Sequence, residues 1–106
     1  YASAFNNKGN AFKEQGMLDE AIVAYNRAIA IKPDFTNAYI SMGLVFQYQG
    51  KLLKGIKTYK KALSFEPDNA EIYNNIGIAF RELGKLVEAL ESRENHPCQS
   101  PLGSLG

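Results

Sequence analysis

The stretch YNNIGIAF, Tyr73 to Phe80, puts a glycine in the middle of what otherwise reads as helix, where glycine costs about 1 kcal/mol relative to alanine. The same frame of aromatic, glycine and aromatic stands upstream in FNNKGNAF, Phe5 to Phe12, and in YISMGLVF, Tyr39 to Phe46. A residue that local propensity disfavours, repeated in one frame, points to a packing requirement.

The spacing of these stretches decides the architecture. Gly9, Gly43 and Gly77 lie 34 residues apart, as do Gly16, Gly50 and Gly84, and Pro33 and Pro67 keep the same interval. So do the aromatics Phe5, Tyr39 and Tyr73, and Phe12, Phe46 and Phe80. A fixed period of this length marks stacked supersecondary units. Within a period the apolar residues follow helical spacing, as in Tyr39, Met42, Gly43 and Phe46. After Gly50 a second periodic run, from Leu52 through Ile56, Tyr59 and Ala62 to Leu63 and Phe65, stops before Pro67, which cannot continue a helix. Each period therefore reads as two helices and a tight turn. The second glycine, in EQGM, YQGK and ELGK, suits the left-handed position that ends a helix. Asp68 with Glu71 three residues on predicts a capping box for the helix that follows.

A helical hairpin of this kind explains the mid-helix glycine. Its two axes approach most closely at one crossing, and small residues are expected to face each other there. Gly9, Gly43 and Gly77 are thus expected to meet Ala21 and Ala28, then Gly55 and Ala62, then Ala89, with Gly77 packed beside Ala89.

With these residues in place, the chain resembles a tetratricopeptide-repeat array, whose signature on a 34-residue period is W-x2-L-G-x2-Y, then A-x3-F, then P. The matches are Phe5, Gly9, Phe12, Ala21, Tyr25, Ala28 and Pro33, then Tyr39, Met42, Gly43, Phe46, Gly55, Tyr59, Ala62 and Pro67, and finally Tyr73, Ile76, Gly77, Phe80 and Ala89. They run from about Ala2 to Leu90. The departures are Lys8 at the leucine-like position, Gly55 in place of alanine and, in the third copy, Arg93 at the aromatic position and His96 at the small one, with Pro97 directly behind. The resemblance implies an all-α fold, a right-handed α-solenoid of antiparallel helix hairpins. The repeats are expected at about 2–35, 36–69 and 70–95, the last one incomplete and ending near Asn95, with residues 96–106 as an irregular or disordered tail.

Composition narrows the function. At 106 residues and 45% hydrophobic content one domain is expected, and a net charge of +1 gives no field for nucleic acid. No apolar run approaches the roughly 18 residues that a membrane span needs. The single cysteine, Cys98, forms no internal disulfide and no metal site by itself, which fits a reducing, cytoplasmic setting. The chain begins at Tyr1 and reads as a fragment of a longer protein. His96 and Cys98 have no partner acid, and no phosphate loop or metal-ligand spacing is present, so neither an enzyme nor a cofactor is expected.

The resemblance implies that the first helices line a concave groove, the usual binding face for a peptide or helix of a partner protein. The groove residues expected from the helical frame are Asn6, Asn7 and Asn10, then Ile40, Ser41 and Leu44, then Asn74, Asn75 and Ile78. Asn7, Ser41 and Asn75 form a short polar ladder able to pair with an extended backbone, and Ile40, Leu44 and Ile78 suggest an apolar partner. Family members that grip acidic chaperone tails do so through lysines and an arginine. The corresponding positions here hold Asn6, Asn10, Ser41, Glu71 and Asn75, so such tails are not the expected ligand. The run KLLKGIKTYKK, Lys51 to Lys61, reads as a solvated outer flank facing Glu88, Glu91 and Glu94. The rival function is a structural segment that self-associates, as a homo-oligomer with exchanged helices, through its incomplete end or its groove.

Overall fold

The computed structural model describes the backbone of residues 1–102 and side chains as far as residue 92. Its described residues form helices α1 (Ala2–Glu14), α2 (Leu18–Ile31), α3 (Thr36–Tyr48), α4 (Leu52–Phe65) and α5 (Ala70–Leu102), and no strand. The body measures 62 × 30 × 18 Å with a radius of gyration of 17.9 Å, against about 13 Å for a compact globule of similar length. Much of that length is α5, whose 33 residues, rising about 1.5 Å each, span about 50 Å.

Both hairpin turns close in the same way. Gly16 and Gly50 adopt φ of 78° and 79°, where any other residue would be strained. The Met17 N–H reaches the Phe12 carbonyl at 2.9 Å and the Gly16 N–H the Lys13 carbonyl at 3.0 Å, with Lys51 to Phe46 at 2.8 Å and Gly50 to Gln47 at 2.9 Å in the second hairpin. These paired bonds satisfy the carbonyls that a helix end leaves open. The loop between hairpins is latched by the next leading aromatic, because the Tyr39 hydroxyl donates to the Pro33 carbonyl at 3.2 Å and Tyr73 to that of Pro67 at 2.9 Å. The cap of α5 is Asn69, not the expected pair of Asp68 and Glu71. Asn69 Oδ1 accepts from the N–H groups of Glu71 at 2.9 Å and Ile72 at 3.3 Å.

Two apolar clusters hold the stack, one at each junction. The first joins Ala21, Tyr25 and Ala28 of α2 to Ala38, Met42, Val45 and Phe46 of α3. The second joins Ile40 to Ile56, Tyr59 and Ala62 of α4 and to Ile72 and Ala79 of α5. The expected contact of glycine with alanine is replaced by a larger one. A Cβ on Gly9 would stand 2.6 Å from Tyr25 Cε1, and one on Gly43 would overlap the ring of Tyr59. The missing side chain thus admits a whole tyrosine ring, while Ala21, Ala28 and Ala62 are fully buried around it. Gly55 keeps the predicted role, since a Cβ there would lie 3.1 Å from the Gly43 carbonyl oxygen.

The third hairpin departs from expectation. α5 continues for 33 residues to Leu102, passing Gly84 as helix, so the turn predicted there does not form. Among the described residues nothing lies within 4 Å of a Cβ on Gly77, and Ala89 is exposed, so the expected packing of these two is absent. The end near Asn95 and the irregular stretch from residue 96 are likewise replaced by helix as far as Leu102; residues 103–106 of the expected tail lie outside the described residues. A turn at Gly84 must be rewarded by what the second helix covers, and at the position of Tyr25 and Tyr59 the third repeat carries Arg93. Continuing the helix satisfies the backbone with no such contact.

Candidate protein-interaction surface

The first helices approach one another, α1 touching α3 and α3 touching α5, whereas α2 and α4 make no contact. The array therefore curves with α1, α3 and the start of α5 on its inner face and α2 and α4 outside.

The nine predicted groove residues divide when placed on this face. Asn7 and Asn74 are exposed, and Asn10, Ser41, Leu44, Asn75 and Ile78 are half-buried. Ile40 is a correction: it is 5% exposed and belongs to the core between α3, α4 and α5. Asn6 is also buried, with Oδ1 lacking a partner among the described residues. Ile40 was misplaced because α4 and α5 both pack on its flank of α3, through Ile56, Tyr59 and Ala62 and through Ile72 and Ala79. Leu44 touches the second cluster, which leaves Ile78 as the apolar groove residue free of it.

The tyrosines of the outer helices contribute polar groups that the sequence reading missed. The Tyr25 hydroxyl donates to Asn10 Oδ1, with Ser41 also beside it. The Tyr59 hydroxyl donates to Gln47 Oε1, and Gln47 Nε2 donates in turn to Glu82 Oε1 at 3.1 Å, a relay that ties the second hairpin to α5. The shared register of Tyr25 and Tyr59 was the available signal; Gln47 and Glu82 carry none. Burial holds the hydroxyls of both tyrosines above their ordinary pKa of 10.0, aided at Tyr59 by the nearby Tyr48 and Glu82 and at Tyr25 by Glu14. The sign follows directly: above about pH 10 the unfolded chain releases phenolic protons that the folded chain retains, so stability falls as pH rises through that range. Urea midpoints measured between about pH 8 and about pH 11, a range that spans the ordinary tyrosine pKa of about 10, should drop steeply above it. Tyr25→Phe should flatten part of that drop.

The lysine-rich flank is exposed, and three of its five cations lie over aromatic rings. Lys54 Nζ stands 5.4 Å from the Phe46 centroid, Lys60 5.9 Å from Phe80 and Lys61 5.5 Å from Phe65. Their stems cover apolar surface while the charges stay wet. The side chains of His96 and Cys98 lie outside the described residues.

A family model described as TPR repeat matches residues 9–50 and again 43–84. The chain belongs to the tetratricopeptide-repeat family. Two crystal structures of MamA resemble this TPR array, each with a TM-score of 0.77. One is 33% identical and aligns with 86% of this chain and 53% of its own; the other is 32% identical, with 89% and 51%. The chain thus spans about half the length of these MamA chains. No curated protein matches it significantly in sequence. Membership places the chain among protein-interaction scaffolds built from helical hairpins. Among the described residues no helix is long and apolar enough to cross a membrane.

Proposed function

We propose that this TPR array is a non-catalytic module that holds a peptide or helix of a partner protein on its inner face. The observation that supports it most is that α3 lies between α1 and the start of α5, touching both, while Asn7, Asn10, Ser41, Leu44, Asn74, Asn75 and Ile78 on these helices keep exposed or half-buried side chains. The amides supply donors and acceptors for an extended backbone, and Ile78 with the exposed edge of Leu44 supplies apolar anchorage. Burying each such side chain contributes about 1.5–3 kcal/mol.

The test is to select peptides from a random phage library on the full chain, then measure their binding to Ile78→Lys and Asn74→Asp. Weakening by tenfold or more, about 1.4 kcal/mol, with unchanged helical circular dichroism is the expected result. Selected peptides that bind both variants as they bind the parent would reject this face as the site.

A further inference from the structure

Two clefts of one design open along the array, and their chemistry differs. The first, of about 280 Å³, lies between Phe5 and Lys8 of α1 and Val23, Ala24 and Arg27 of α2. The second, of about 480 Å³, has Tyr39 and Met42 of α3 as its floor and Lys57, Thr58, Lys60, Lys61 and Ser64 of α4 as its wall. Thirty-four residues relate Phe5 to Tyr39, Lys8 to Met42, Val23 to Lys57, Ala24 to Thr58 and Arg27 to Lys61. The clefts are thus the same place in successive repeats. In the second, methionine replaces the lysine of the floor and lysine replaces the valine of the wall.

The charge on this wall is not balanced within its helix. Between Lys51 and Phe65 the chain has five lysines and no acidic residue. Lys57 has Lys54 three residues before it, and Lys60 and Lys61 three and four residues after it. Like charges at these spacings cost helix stability. The fold does not require them, because α4 is held through Ile56, Tyr59 and Ala62 on its buried side. Nor are all of them loose: Lys60 lies over Phe80 and Lys61 over Phe65, which positions their charges. The Thr58 hydroxyl donates to the Lys54 carbonyl at 2.8 Å and that of Ser64 to the Lys61 carbonyl at 2.6 Å. Both hydroxyl oxygens can therefore act towards a ligand as acceptors.

We propose that this cleft is a second docking surface, for an acidic segment of a partner protein in which carboxylates flank an apolar side chain. The apolar side chain lies over Met42 and Tyr39, and the carboxylates meet Lys57 and Lys61, one helical turn apart, with Lys60 beside them. Thr58 and Ser64 accept from the segment's backbone N–H groups. A nucleic acid would engage the lysines but leave the floor of Met42 and Tyr39 unused, and a net charge of +1 supplies no longer basic track for its phosphates. None of the inner-face residues lines this cleft, so the two surfaces can be tested separately.

Fluorescence anisotropy on the full chain, with a labelled synthetic peptide in which two glutamates flank a leucine on each side, tests this. Binding should be saturable and should weaken as salt is raised. A peptide with glutamine for glutamate should not bind, and one with alanine for leucine should bind several-fold more weakly. Lys57→Glu and Lys61→Glu should each weaken binding at least tenfold with helical circular dichroism retained. Lys85→Glu, the same change of charge at an exposed site on α5, should leave it unchanged, as should Ile78→Ala on the inner face. A parent chain without saturable binding would overturn the proposal. Equal weakening by Lys57→Glu and Lys85→Glu would also overturn it, because bulk charge would then account for the binding. So would a single-stranded DNA oligonucleotide that binds more tightly than the peptide and is released by Lys57→Glu.

Discussion

Tyr59→Ala is expected to lower stability by about 3–5 kcal/mol, the usual cost of removing a large buried aromatic side chain. Tyr59 is 0% exposed, its ring fills the space left by Gly43, and its hydroxyl begins the relay through Gln47 to Glu82. Truncation opens a cavity at the centre of the second hairpin and releases α5 from it. Domains of this size are stable by about 5–15 kcal/mol, so a large share of the total is lost. Urea denaturation followed by circular dichroism would show the midpoint falling sharply. Tyr59→Phe, which removes only the hydroxyl, should cost about 1 kcal/mol. Equal midpoints for the parent and Tyr59→Ala would mean that the second hairpin is not held by this ring.

Gly43→Ala should cost about 1–3 kcal/mol although alanine is the better helix former. Its methyl group would stand 2.6 Å from Tyr59 Cδ1 and closer still to Cε1, and the ring that must yield is wholly buried. Gly55→Ala is the informative contrast. Its Cβ would lie 3.1 Å from the Gly43 carbonyl oxygen, a spacing that a few tenths of an ångström relieve, and Ala21 stands at the same place in the first hairpin. Calorimetric melting should separate the two variants by several degrees. Combining Gly43→Ala with Tyr59→Leu should cost less than the two changes added, because they share one contact.

Gly43 also shows how far the residues could be read. That glycine at this place marks a close helix crossing was legible from its recurrence in three frames. Which residue crosses it was not, because spacing along a chain tells which side chains share a helix face but not which one reaches across. The alanines were expected there, and the tyrosine rings occupy it. Ile40 shows a similar limit on the candidate surface. Its place in the helical frame is that of a groove residue, and its burial follows from the packing of α4 and α5 against that flank of α3, a contact that no local pattern encodes.

The period, the helix boundaries at Gly16, Gly50, Pro33 and Pro67, and the stacking of hairpins all follow from the sequence by itself, since each rests on backbone preferences and apolar spacing within a few turns of helix. The fate of Gly84 does not. YQGKL at Tyr48 to Leu52 and ELGKL at Glu82 to Leu86 carry nearly the same turn signal, yet the first closes a hairpin and the second runs through as helix. A left-handed glycine makes a turn permissible without making it favourable. What decides is the surface that the returning helix buries: Tyr59 sealing Gly43 in the second repeat, and in the third an arginine at the same position.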